Sequence, residues 1–269
     1  MSLSLLNNIS SLEAQNQLNQ TSASLQNVLV QLSSGSRLNS GADDPAGLSI
    51  ADSLHASAAM LSQASNNANT GIGLLQTADG SLGQITNLLN RAVTIATEAS
   101  NGGLTTSQSA ALDNEYQSIQ AEITRIGQQT TFNGSSVFTA TTTSIFLGSA
   151  TNSIGVTIGT LDATGLALNS TDLTSAGNAA TALDAINTAI STVAQDRGTL
   201  GATLNRLTAA QNVISNQVTN LTSAENLIRA ANIPQDVTAE SQYSVLEQTG
   251  ISALAQANQM TQQVLRLFQ

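Results

Sequence analysis

Residues 50–99 read IADSLHASAAMLSQASNNANTGIGLLQTADGSLGQITNLLNRAVTIATEA, and this stretch decides the fold. From Ile50, small and apolar side chains recur at alternating steps of three and four: Leu54, Leu61, Ala64, Ala68, Leu75, Ala78, Leu82, Ile85, Leu89, Ala92, Ala96 and Ala99. Only Ser57 and Gly71 interrupt them. Such spacing belongs to one face of an α-helix. About 50 residues at about 1.5 Å each predict a rod of roughly 75 Å, and a sustained seven-residue repeat favours supercoiling with a neighbour. Asp43-Asp44-Pro45 supplies a start, since an Asp accepts orphan first-turn amides and Pro fits the first helical position. Asn101-Gly102-Gly103 supplies a stop.

The other half of the chain answers this pattern. Residues 183–228 carry Leu183, Ile186, Ile190, Val193, Leu200, Leu204, Leu207, Ile214, Val218, Leu221 and Ile228 in one seam, interrupted two heptads apart by Arg197, Gln211 and Glu225. Polar residues in a seam either fix register or reach solvent at its edge. Shorter amphipathic segments occupy both termini. Near the start Leu5, Ile9 and Leu12 form a patch continued by Leu18, Leu25, Leu29 and Leu32; near the end Ala253, Ala257, Met260, Val264 and Leu267 match it in size. Stripes this narrow are marginal alone in water and order against a partner. Between the long helices, Leu112, Tyr116, Ile119, Ile123 and Ile126 predict a further helix antiparallel to the first. Phe132-Asn133-Gly134 then reads as a turn, and Ser144–Leu147 with Ile154–Ile158 as a β-hairpin.

The expected fold class is therefore mainly α: a long antiparallel, coiled-coil helical bundle with paired N- and C-terminal helices and a small β-hairpin region. Residues 1–33 with 236–269 form the terminal pair, and 34–235 the remaining bundle, with the hairpin region at about 130–178. Such a rod has more apolar stripe than one chain can hide, which points to self-assembly.

Composition narrows the function classes. Charged residues are 9% and aromatics 2% of the chain, leaving Leu, Ile, Val and Ala as core fillers that suit closely approaching helices. The net charge is −10 and all seven basic residues are Arg, so the positive footprint that nucleic acid or an anionic membrane surface requires is missing. No Cys is present, which removes disulfides, thiol catalysis and thiolate metal sites. No apolar run reaches the ~18 residues of a membrane span, and the N-terminus has neither a basic n-region nor an unbroken apolar h-region. His55 is the only histidine, so multi-His metal clusters are ruled out, and it reads as a helix-flank side chain beside Leu54. Adjacent Asp43 and Asp44 cannot converge on one substrate face as an acid–base pair would. Without Lys there is no P-loop, and Gly71-Ile72-Gly73 lies inside a helical seam. No catalytic, cofactor-binding or metal site is expected, and the chain is not expected to be an enzyme.

Several strings, in order, resemble the bacterial flagellins over essentially the whole length. Residues 31–48, QLSSGSRLNSGADDPAGL, look like the family's loop between inner and outer core; residues 122–134, EITRIGQQTTFNG, resemble its entry to the hairpin region. Leu200-Gly201-Ala202 with Asn205-Arg206-Leu207 is similar to its long C-terminal helix, and residues 253–259, ALAQANQ, to its terminal helix. The resemblance implies an inner tube built from the paired termini, polymerisation with itself into the flagellar filament for motility, and extracellular placement without a cleaved signal peptide. It implies a flagellar export apparatus, chaperone, junction and cap proteins as partners, and no cofactor. Only about 45 residues separate Phe132 from the last long helix, so the family's variable outer domains are expected to be missing. Leu89, Arg91 and Glu115 fit a pattern through which some flagellins meet a Toll-like receptor, whereas Val93 and Thr94 stand where that pattern has an Arg-Glu pair; the same residues also suit a subunit contact. The rival readings are a hook–filament junction protein, which shares the core, and a secreted coiled-coil receptor ligand or adhesin.

Overall fold

The computed structural model describes residues 8–149 and 152–267. Helix α1 (Ile9–Ser34) begins where the Asn8 side chain accepts the Ser11 amide at 3.1 Å and ends at Gly35, whose φ of 66° is the left-handed conformation that closes helices. Helix α2 (Pro45–Ala99) starts as expected: Asp44 Oδ1 accepts the Gly47 amide at 2.9 Å, and Pro45 is the first helical residue. Helix α3 (Thr106–Gln129) opens on a capping box in which the Thr105 hydroxyl accepts from the Gln108 amide and Gln108 Oε1 accepts from the Thr105 amide. Two antiparallel hairpins follow, β1 (Thr131–Phe132) with β2 (Ser135–Ser136) and β3 (Thr142–Ser149) with β4 (Asn152–Thr157). Asn133 and Gly134, with φ of 50° and 79°, form the turn between β1 and β2; positive φ at both central residues matches the strand twist. Helices α4 (Ala176–Arg229) and α5 (Ile233–Leu267) complete the chain.

Contacts divide the chain into two compact units, Ala59–Val218 and the remaining residues on either side of it. The middle unit holds the larger core. Leu75, Leu82, Ile85 and Leu89 of α2, Tyr116 and Ile123 of α3, and Ile186 and Val193 of α4 are enclosed together with inward residues of β3 and β4. The α2–α3 pair is antiparallel, as the Ser81–Thr130 hydroxyl contact at 3.1 Å and the Arg91–Glu115 pair show. Strands β3 and β4 pair in the register Ile145↔Ile154 and Thr143↔Val156, and a Cβ on Gly71 would overlap the Ile145 side chain. The glycine that breaks the apolar repeat is thus the gap that seats the hairpin on α2. Gly127 of α3 plays the same part against the Leu161 carbonyl. The segment after β4 is not a helix but buries Leu161, Leu166, Leu168 and Leu173, anchored where the Tyr116 hydroxyl meets Thr171 Oγ1 at 2.6 Å.

Two details differ from the sequence-based expectation. The seam of α2 begins at Ala51, which is buried, whereas Ile50 is 54% exposed; from Leu54 onward it follows the expected positions. A second hairpin, β1–β2, surrounds the turn at Asn133, and four residues of strand are too few to show alternation.

Candidate assembly surface

The termini meet in the unit outside 59–218. Helices α1 and α5 pack antiparallel: Asn8 Nδ2 donates to the Ala257 carbonyl at 3.3 Å and Ser11 Oγ to Asn258 Oδ1 at 3.1 Å. Near their other ends the Arg37 amide donates to the Arg229 carbonyl at 2.8 Å, and the Ala231 amide to the Gly35 carbonyl at 3.1 Å. The Arg37 guanidinium also donates to the Ile228 carbonyl at 2.8 Å, satisfying an orphan acceptor at the negative end of α4. Asp43 fixes the loop that carries Arg37: its carboxylate accepts the Ser40 and Asn39 amides at 2.8 and 3.0 Å. Those two amides, Ser40 first, hold its pKa below the ordinary carboxylate value.

Among the partly or fully buried α1 positions, Ser11, Ala14, Leu18, Thr21, Leu25, Val28 and Leu32 make an unbroken three–four repeat. On α5, Glu240, Tyr243, Glu247, Gly250, Leu254 and Ala257 are partly buried at the same three–four spacing. A Cβ on Gly250 would lie 3.2 Å from Leu18 Cδ1, so the absent side chain lets the helices approach. Half of this seam is polar or lacks a side chain. Glu240 and Glu247 are partly buried, and α1, whose one charged residue is Glu13, offers them no cation.

The residues expected to drive polymerisation divide between two faces. Leu18, Leu25 and Ala257 lie in the α1–α5 seam. Ile9 and Leu12 are each 59% exposed and Met260 is 58% exposed; Leu29 and Ala253 are exposed as well. Val264 and Leu267 belong to the last turns of α5, and Leu5 lies outside the described residues. Leu246, Ala253 and Met260 form an exposed line with seven-residue spacing, and Leu267 continues it in sequence. The Leu-only pattern mixed two faces; the signal that separates them is the unbroken three–four run through small residues, which puts Ala14, Thr21 and Val28 between the leucines.

Leu89, Arg91 and Glu115 also separate. Leu89 is fully buried in the α2–α3 core, which corrects its place as a contact residue: its position on the repeat turns it inward. Arg91 and Glu115 are about half exposed and pair with each other, Nε to Oε1 at 2.8 Å. The three seam-edge polar residues of α4 each find a partner on α2: Arg197 with Asp79, Gln211 with Asn69, and Glu225 with His55. Glu225 also lies 3.7 Å from Arg229. His55 is thus a flank residue, as its position predicts, but a paired one.

Among the described residues no cluster of His, Cys, Asp or Glu could hold a metal ion, and no helix is long and apolar enough to cross a membrane. Paired terminal helices, a helical core and a surplus apolar face define a structural subunit built for contact with other chains. Residues 5–143 match the bacterial flagellin N-terminal helical region, and residues 183–268 the bacterial flagellin C-terminal helical region. A flagellin of Halalkalibacterium halodurans is 36% identical over 248 residues, spanning 90% of this chain and 91% of that one. The crystal structure of Bacillus cereus flagellin superposes with a TM-score of 0.50 at 32% identity, over 60% of this chain and 94% of that one. A Vibrio parahaemolyticus structure described as flagellar hook-associated gives a TM-score of 0.59 at 12% identity, over 70% of this chain and 99% of that one, a likeness of fold alone. The chain belongs to the bacterial flagellins, in a short form. It is a structural subunit of the flagellar filament and not an enzyme.

Proposed function

We propose that the subunit polymerises through its terminal pair, with residues 1–33 and 236–269 forming the inner tube of the filament and 34–235 the outer core that becomes the filament surface. The observation that carries this is the two-faced α1–α5 pair. Its inward seam is half polar, while its outward face keeps Ile9, Leu12 and Met260 in water. Burying that outward face between copies supplies what the lone chain lacks, so ordering of the ends and assembly proceed together. The subunit travels through the flagellar export apparatus in the company of a chaperone, and its filament meets junction and cap proteins. The exposed Arg91–Glu115 pair is a contact for a neighbouring subunit; with Leu89 enclosed, little of the Toll-like receptor pattern remains on the surface.

Seeding purified full-length monomer with sheared filament fragments and imaging by negative-stain electron microscopy tests this reading. Long uniform filaments are expected from the full chain. Chains lacking 1–33 or 236–269 are expected to stay folded and soluble and never to elongate. Normal filaments from either truncated chain would overturn the role of the termini, and short rings from the full chain would favour a hook–filament junction protein.

A further inference from the structure

The apolar seams of α2 and α4 are nearly degenerate. Leu61, Ala68, Leu75, Leu82 and Leu89 of α2 recur every seven residues, as do Ile186, Val193, Leu200, Leu207 and Ile214 of α4. A slip of α4 along α2 by one heptad, roughly 10 Å, keeps seam residues on seam positions, with Ala68 and Ile85 the ones that differ in size from their heptad neighbours. Hydrophobic burial, which is non-directional, discriminates poorly between such registers. Something else must select one.

We infer that the polar pairs Asp79–Arg197 and Asn69–Gln211 are positioning residues that lock the register of α4 on α2. Arg197 Nε donates to Asp79 Oδ1 at 2.8 Å and Nη2 to Oδ2 at 3.4 Å, a two-pronged grip that demands one geometry. Gln211 Nε2 donates to Asn69 Oδ1 at 2.8 Å. Asp79 is the only carboxylate on α2 between Asp52 and Glu98. After a slip of one heptad Arg197 faces Ile72 or Thr86, and after two it faces Ser65 or Val93; no acid waits at any of these positions. In the slip that sets Arg197 against Thr86, Gln211 meets Gln76, another amide, so that register is rejected by the loss of the Asp79–Arg197 pair. In the other unit His55 meets Glu225 at 3.2 Å, and a slip of one heptad sets Glu225 against Leu48 or Ser62. An exposed pair adds little stability, but one pair lost in every wrong register is enough to choose among near-equal ones, the best-attested use of polar seam residues.

The absence of Cys makes the test clean. Spin labels on cysteines replacing the exposed Ser62 and Thr208 report the axial offset of the two helices through their electron–electron distance. The otherwise native full chain is expected to give one narrow distance. Combining Asn69→Ala, Asp79→Ala, Arg197→Ala and Gln211→Ala is expected to add a second population displaced by several ångströms, as a slip of roughly 10 Å requires. Asp79→Arg alone is expected to deplete the native distance, and adding Arg197→Asp to restore it. A single unshifted distance in the quadruple variant overturns the proposal, as does failure of the reversed pair to restore what Asp79→Arg removes. If the quadruple variant loses its helical circular dichroism, the single and reversed charge variants carry the test.

Discussion

At the scale of single residues, the carboxylates report how tightly each helix is held. Asp172 accepts from the Thr174 hydroxyl and amide and from Asn178 Nδ2 just before α4, and the Thr174 hydroxyl leads these donors in lowering its pKa. Asp196 is the opposite case. It takes a seam position of α4 between Val193 and Leu200, and burial raises its pKa above the ordinary value. A raised folded-state pKa contributes stability at pH below the unfolded value, lost as pH rises through the folded one. Asp196→Asn is therefore expected to raise the urea midpoint at pH 7, for a gain in unfolding free energy of less than about 1 kcal/mol because solvent still reaches the carboxylate. The advantage should shrink toward pH 4 as Asp196 in the parent becomes neutral, and urea melts at pH 4 and pH 7 check the sign. Nothing in the sequence singled out Asp196, because the apolar period steps over it to Arg197. His55, Gln211 and Arg197 were legible as seam-edge residues, but their partners were not: pairing between residues so far apart in sequence depends on register, which periodicity alone leaves open.

At the scale of elements, the boundaries of α2 were legible because their signals are local, whereas α4 begins at Ala176, before the Leu183 at which its seam was read. Asp44-Pro45 starts α2, Gly35 ends α1, and the apolar repeat carries everything between. The start of α3 belongs to the same class of signal, Thr105 with Gln108 three positions on. Replacing the capping hydroxyl by Thr105→Ala leaves first-turn amides of α3 without their acceptor and is expected to cost about 1 kcal/mol. A urea titration of the full chain reads this, with Thr105→Ser expected to retain most of the stability. The segment after β4 was not legible. It buries four leucines without periodic spacing, held instead by long-range bonds such as the Leu173 amide to Asp113 Oδ1 at 2.8 Å. Gly71 shows the same limit from the other side: an apparent flaw in the repeat is the site where Ile145 docks, a contact visible only once the hairpin is placed.

At the scale of the whole molecule, the pairing of the termini followed from amphipathic segments at both ends, while the division of their apolar residues into two faces did not. On the proposed reading, that division separates folding from assembly. Leu18 touches the space left by Gly250 inside the α1–α5 seam, so Leu18→Ala is expected to loosen the pair within each chain and increase amide exchange along α1 and α5. Leu12 and Met260 lie outside the seam and largely in water. A charge placed there meets solvent in the monomer and a desolvated neighbour in the filament. Leu12→Glu or Met260→Glu is therefore expected to leave the urea midpoint of the monomer within about 0.5 kcal/mol of the parent while raising the critical concentration for seeded growth at least tenfold, equivalent to about 1.4 kcal/mol per subunit added. Light scattering during seeded growth, alongside the urea melt of the same sample, separates the two effects. Unchanged elongation by both variants would mean that the outward line is solvent-facing in the filament too, and that copies meet through other surfaces.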